Sequence, residues 1–342
     1  MRPRLKWLAS GVFAALAVVS MDTEARAQAA ITNAGGDLYL GVNQEGQLNI
    51  PESTAGVPVV NSSRLGLAIE IPSLGGVHDA TSPGCFCEGW GVSASGTSLS
   101  ANESVGGVSN ITVDSFTSTA TSITSSVSAT SQPGLKVTQE YTRSAATDRI
   151  FENKVTITND TGGTLTDVRY VRVMDWDIAP SEFTEMVTIR GTATTTFLEF
   201  SNDDGFASAD PLAPNPTKIA ACAVDTGDFT DCNTADHGAY FKFNFGELAA
   251  GESREFSVFY GAALTEREML AGLSAVGAEL FSLGQHDGDP TGGTPATYAF
   301  GFKGVGGTPV IPVPVPASIL FMLVGLAGTG LMMMRRPGAR AA

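Results

Sequence analysis

Between residues 31 and 307 short apolar runs alternate with polar positions, and Gly, Asn and Asp interrupt the pattern every few residues. Alternation with period two predicts half-buried strands joined by tight turns, because successive side chains on a strand point to opposite faces. Residues 37–42, DLYLGV, lead into Asn43-Gln44-Glu45-Gly46 and predict a hairpin. Residues 151–157 and 164–176 flank Thr158-Asn159-Asp160-Thr161-Gly162-Gly163, whose Asn, Asp and Gly supply the backbone angles of a reversal, so the two segments read as hairpin partners. Residues 241–245 and 255–260 alternate around a GELAAG segment and read as antiparallel neighbours. The stretch 93–132 is rich in Ser, Thr and Gly, yet Ile111, Val113, Phe116, Ile123 and Val127 punctuate it, which predicts edge-type strands rather than a linker.

One segment breaks the period. Thr265 and Glu268 form a capping box, and Met269, Leu270, Leu273, Val276 and Leu280 recur at helical spacing, predicting a helix on a sheet edge or end. With 39 Gly and 17 Pro, composition agrees that helix is the exception. The expected fold is all-β: a large antiparallel β-sandwich over 28–307 with one α-helix towards its C-terminal side. About 280 residues without an evident linker favour one large sandwich over two in series.

The ends follow other rules. Arg2, Arg4 and Lys6 precede an uncharged run, 7–21, and Ala25-Arg26-Ala27 places small residues where a signal peptidase reads. This is the layout of a signal peptide, 1–27, with cleavage after Ala27 or, nearby, after Ala29. At the other end a Pro-rich spacer, 308–316, leads to an uncharged stretch, 317–334, long enough for a transmembrane helix, and then to Arg335-Arg336. Arginines that stay on the cytoplasmic side leave the large domain on the outer face.

Val313-Pro314-Val315-Pro316-Ala317, the apolar stretch with Gly325, Gly328 and Gly330, and Arg335-Arg336 resemble a PEP-CTERM-type sorting signal, 313–342, in its Val-Pro-Leu-Pro-Ala variant. Val315 stands where that variant has Leu and the better-known form has Glu, which leaves the sorting enzyme open. The signal-peptide layout implies export through the Sec machinery and signal peptidase, and the resemblance implies a Gram-negative host and recognition by an exosortase-type protease in the inner membrane. It further implies removal of the helix and delivery to the cell surface or the extracellular polymer. A plain single-span membrane anchor is the simpler alternative. The segments NDTGGTLTDV, from Asn159, and GELAAGES, from Gly246, resemble β-sandwich modules of exported PEP-CTERM proteins, whose roles are mostly unassigned. The supersandwich of mutarotase-like proteins is a larger relative, but no position here matches their catalytic His and Glu.

Charge excludes one class of partner. The formal net charge is −15 and both ends are basic, so the middle carries roughly −20, a surface that repels nucleic acid. The four cysteines, Cys85, Cys87, Cys222 and Cys232, point to disulfides in an exported chain and allow three connectivities. Cys222 and Cys232 flank a turn-rich loop that a bridge closes easily. Cys85 and Cys87 are separated only by Phe86 and need the bend that Pro83-Gly84 supplies.

Asp175-Trp176-Asp177 ends a strand with both carboxylates on one side, and Glu182 and Glu185 follow. Paired acids beside an aromatic suit a glycosidase or a calcium site. The simpler account pairs Asp175 and Asp177 with Arg169, Arg172 or turn amides and packs Trp176 in the core. Other acidic loops are Asp203-Asp204-Gly205, Asp225 to Asp231, Asp236 beside His237, and His286-Asp287-Gly288-Asp289, none with EF-hand spacing. The histidines His78, His237 and His286 lie in turn-like contexts, and no nucleophile-elbow, zinc-protease, P-loop or dinucleotide motif is present. The expectation is a non-catalytic exported surface or matrix protein in contact with exopolysaccharide, without a cofactor unless calcium binds. The alternatives are a secreted carbohydrate-active enzyme using Asp175 or Asp177, and a calcium-stabilised adhesin.

Overall fold

The computed structural model describes residues 27–310. Ala25, the sorting motif Val313 to Ala317, the stretch 317–334 and Arg335-Arg336 lie outside the described residues. Among the described residues no helix is long and apolar enough to cross a membrane. The first strand, Gln28–Thr32, starts at the residue after Ala27.

The fold is all-β in sheets of nine, six, four and two strands. The nine-stranded sheet runs, in spatial order, Ile111–Ser118, Ser122–Ala129, Gln132–Arg143, Ile150–Asn159, Ser253–Ala263, Thr297–Lys303, Leu280–Gln285, Glu185–Arg190 and Phe229–Ala235. The six-stranded sheet runs Leu198–Asn202, Gly238–Asn244, Arg169–Asp175, Gly89–Ala94, Thr97–Asn102 and Gly107–Ser109. All their pairings are antiparallel.

The period-two pattern sets the inner faces. In Gln132–Arg143, Leu135, Val137, Gln139 and Tyr141 are buried while the residues between them are partly exposed. Aromatic rings from both sheets meet in the middle: Phe241 lies 5.1 Å from Phe302, and Tyr170 lies 4.8 Å from Phe256, both edge-on. The four-stranded sheet, Gln28–Thr32, Leu38–Asn43, Leu67–Glu70 and Val77–Asp79, adds Ile31, Leu38, Leu40, Leu67 and Ile69 to the same core. One continuous core is what a single sandwich requires.

Two expected pairings are corrected. Ile150–Asn159 does not pair with the strand that follows it: its neighbours are Gln132–Arg143 and Ser253–Ala263. Arg169–Asp175 lies in the opposite sheet, beside Gly238–Asn244 and Gly89–Ala94. Likewise Gly238–Asn244 and Ser253–Ala263 belong to different sheets. Both connections are arches between the sheets, and the arches bond to each other. Leu165 and Leu248 exchange two backbone hydrogen bonds of 2.9 Å, and Asn159 Nδ2 donates to Leu248 O at 2.8 Å. The same Asn, Asp and Gly that close a hairpin also turn an arch, so turn chemistry alone did not choose between them. The reversal at Asn43 to Gly46 is present, with Asn43 N donating to Gln47 O at 2.9 Å, but the return beyond it is a single bridge, Val42 with Leu48.

The expected helix is Glu266–Val276, with the Thr265 side chain accepting from the Glu268 amide, and a second, one-turn helix that was not expected spans Glu52–Ala55. The longer helix buries Met269, Leu273 and Val276 against Phe259, Phe281, Leu283 and Ala299. These belong to central strands of the nine-stranded sheet, so the helix covers an outer face rather than an edge or end. Of the Ser/Thr-rich stretch, Ile111–Ser118 and Gly107–Ser109 are edge strands, as expected, but Ser122–Ala129 and Thr97–Asn102 each pair on both sides and lie inside their sheets. Val310 also packs beside the helix and donates to Ala278 O at 2.7 Å, so the first residues of the expected spacer stay docked.

Candidate metal centre

Along Arg169–Asp175 the side chains of Tyr170 and Met174, with Trp176 just beyond, enter the inter-sheet core, while Val171 and Val173 face outward against Ala207, Ala209 and Tyr240. Alternation therefore puts Asp175 on the outer side, under the loop that contains Ala207 and Ala209. Two glycines let neighbouring backbone close over it. A Cβ on Gly205 would lie 2.7 Å from Asp175 Cα, and one on Gly238 would lie 1.9 Å from Met174 O.

Asp175, Asp177 and Asp236 converge there, each offering a carboxylate oxygen, with the three atoms within 4.8 Å of one another. Asp175 and Asp177 are buried, whereas Asp236 is exposed. Glu185 is brought alongside by the sheet, because its strand pairs Glu185 with Ala235, the residue before Asp236. The strands thus join two acids from one sheet end to two from the other.

These acids are poorly paired. Both oxygens of Asp177, Oδ1 of Asp175 and Oε2 of Glu185 have no hydrogen-bond partner among the described residues. Glu185 Oε1 accepts from the amides of Phe183 and Ile178. Burial first, and then the charges of Asp236 and Asp204, hold Asp175 far above the usual carboxylate range. Burial and the neighbouring Asp175, Glu185, Asp236 and Asp79 do the same to Asp177. Glu185 is pushed up to about 9, chiefly by burial and further by Asp175 and Asp236, against its own amide and that of Phe183, which favour its charged form. The neighbouring charges that act most on these three groups are all negative.

The expected arginine pairing of Asp175 and Asp177 is not formed. Arg172 points into the core, where it pairs with Glu88, both fully buried. Arg169 sits six residues, roughly 20 Å, back along the strand and pairs with Glu199 at 2.7 Å. Trp176 is in the core, as that account required, its Nε1 donating to Ser282 Oγ at 3.1 Å.

The surrounding groups fix the site rather than neutralise it. His237 is buried between Asp203, 2.8 Å from Nδ1, and Glu185 O, 3.3 Å from Nε2, so both ring nitrogens are engaged. Asp203 also accepts from the Ile219 and Ala220 amides at 2.9 and 2.8 Å, which with His237 hold its carboxyl below the usual range although burial opposes this. Cys85 and Cys87 are joined in a disulfide, with Cα atoms 5.3 Å apart, and Cys85 Sγ lies 3.5 Å from Asp175 Oδ2. Cys222 and Cys232 form the second bridge, with Cα atoms 5.5 Å apart.

Asp175, Asp177 and the nearby Glu185 are legible in the sequence, whereas Asp236 stands there in a separate acidic loop. The other acidic loops serve turns: Asp228 accepts from the Thr192 amide and hydroxyl, and Asp289 from the Gly292 amide. His78 is not in a turn but within Val77–Asp79, buried, and neither ring nitrogen has a hydrogen-bond partner among the described residues. Three surface cavities lie elsewhere, one flanking the helix at Arg190 and Leu270, one at Asn43 and Arg64, one at Glu52 and Pro58. Neither Asp175 nor Asp177 lines any of the three.

Four carboxylates, almost all oxygen and largely shielded from water, can do two things: share protons, or hold a hard cation. No protein-family model matches this chain, and no curated protein matches it.

Proposed function

We propose that this protein is an exported, non-catalytic β-sandwich, sorted by an exosortase-type protease and displayed at the cell surface or in the extracellular matrix of a Gram-negative bacterium, in contact with exopolysaccharide. The observation that carries this reading is that all four cysteines are consumed in two disulfides, with none free. Such pairing persists in oxidising compartments and is rare in the cytosol. The basic, apolar N-terminal run and the Val313-Pro314-Val315-Pro316-Ala317 segment before an apolar stretch and Arg335-Arg336 supply the address. The reading as a carbohydrate-active enzyme asks for a cleft joining Asp175 or Asp177 to a second carboxylate about 5–10 Å away. The buried position of both acids gives it no support.

Mass spectrometry of the protein recovered from its native host tests the proposal. The expected product begins at Gln28 or Ala30, carries both disulfides and lacks residues 331–336. A cytosolic product with free thiols and both ends intact would overturn it, and an oxidised surface product retaining residues 331–336 would replace sorting by simple anchoring.

A further inference from the structure

We propose that Asp175, Asp177 and Asp236 bind a hard divalent cation of the calcium class, with Glu185 closing the site from the neighbouring strand. The inference concerns the folded domain and does not depend on how the chain is sorted.

Convergence comes first. Calcium takes carboxylate oxygens at about 2.4 Å, so two ligands on opposite sides of one ion stand roughly 4.8 Å apart. The three donor atoms lie within 4.8 Å of one another. The second observation is independent of acidity. Asp177 is fully buried with both oxygens unpartnered, and Glu185, also fully buried, has Oε2 unpartnered. Buried polar atoms in folded proteins are nearly always satisfied, and a buried carboxylate with neither donor nor cation is costly. A bound cation answers all the orphaned oxygens at once.

The donor chemistry selects the kind of ion. Cys85, Cys87 and Cys232 are in disulfides and supply no thiolate, and His237 has both nitrogens engaged. Only oxygen remains, which disfavours zinc and favours a hard cation. Magnesium keeps several waters in a strict octahedron, whereas this site is shielded by the 203–210 loop and the Cys85 sulfur. Calcium accepts irregular, protein-rich coordination. Asp236 is the exposed ligand and gives the ion its way in.

The test uses the full-length, oxidised chain in mild detergent after removal of metal by chelator, with terbium as a calcium-like probe. Trp176 sits between two of the ligands in sequence, so excitation of tryptophan should sensitise terbium emission. The expected result is saturation near one ion per chain, displacement by Ca2+, and no displacement by an equal concentration of Mg2+. Calcium at a hundredfold excess over its dissociation constant should raise the melting temperature by about 5 °C. Asp236→Asn, at an exposed position that leaves the fold intact, should weaken terbium binding tenfold or more. Asp177→Asn should abolish both the emission and the calcium-dependent rise in melting temperature.

The proposal is overturned by an absence of saturable emission, by variants that titrate like the parent, or by displacement with Zn2+ but not Ca2+. In the first case the acids simply share protons. Because the readout is ion binding by purified protein, neither outcome bears on the cleavage products that test export.

Discussion

Asp79 accepts hydrogen bonds from the Gly66 and Thr81 amides, at 2.6 and 2.8 Å, and from the Thr81 and Ser82 hydroxyls, yet burial outweighs all four and pushes its carboxyl up to about 6. The folded chain therefore keeps this proton to higher pH than the unfolded chain. Stability from Asp79 is complete below the ordinary carboxylate value and is lost as pH rises through about 6, an effect of up to about 3 kcal/mol. Urea denaturation at pH 4, 5, 6 and 7 should show this decline on top of that from Asp175, Asp177 and Glu185, and Asp79→Asn should make it shallower by one group's share. A decline of equal steepness in the variant would assign it to other groups. Residue identity alone did not disclose this behaviour. Nothing in Val77-His78-Asp79 distinguishes a carboxyl sealed under Gly66 and Thr81 from an ordinary acid at a strand end.

At the scale of elements, strands and the helix were legible, because period and capping are local. Thr265 and Glu268 placed the helix start correctly, and Thr265→Ala should cost about 1 kcal/mol in chemical denaturation. What was not legible was which strands meet, since partners such as Ile150–Asn159 and Ser253–Ala263 lie about a hundred residues apart. The metal centre divides the same way. Asp175 and Asp177 share a strand end and were found from spacing, whereas Asp236 joins them only through long-range pairing. Glu88 was missed altogether because its partner, Arg172, comes from the adjacent strand. That pair is enclosed by Tyr141, Tyr170 and Tyr260, with the Arg172 guanidinium 5.2 Å from the Tyr260 ring centre. Arg172→Met alone leaves a buried carboxylate unpaired and should cost about 3–5 kcal/mol, whereas adding Glu88→Leu should recover at least half of that. A double-mutant cycle in guanidinium checks both numbers, and additive losses would show that the two groups do not act as a pair.

For the molecule as a whole, the Cys222–Cys232 bridge spans ten positions beside the outermost strand of the nine-stranded sheet. Closing a loop of that length restricts the unfolded chain by about 3 kcal/mol. Replacing both cysteines with Ala should lower unfolding free energy by about that amount, and a loss below 1 kcal/mol would mean the unfolded loop is already constrained. The all-β class was readable from composition and alternation, because those depend on the average environment of a residue. The division into sheets was not, because the two arches between them are chemically identical to hairpin turns and only their mutual contact at Leu165 and Leu248 reveals them.

Among the described residues Thr297–Lys303 is the last strand in sequence, yet it lies between Ser253–Ala263 and Leu280–Gln285 in the interior of the largest sheet. A chain made from its N-terminus cannot complete its hydrophobic centre until almost the whole domain has left the ribosome. Until Tyr298, Phe300 and Phe302 arrive, the aromatic surface they cover stays open. Completion of this sheet therefore waits on its most distant pairings, the kind that form slowly and leave apolar surface exposed in the meantime.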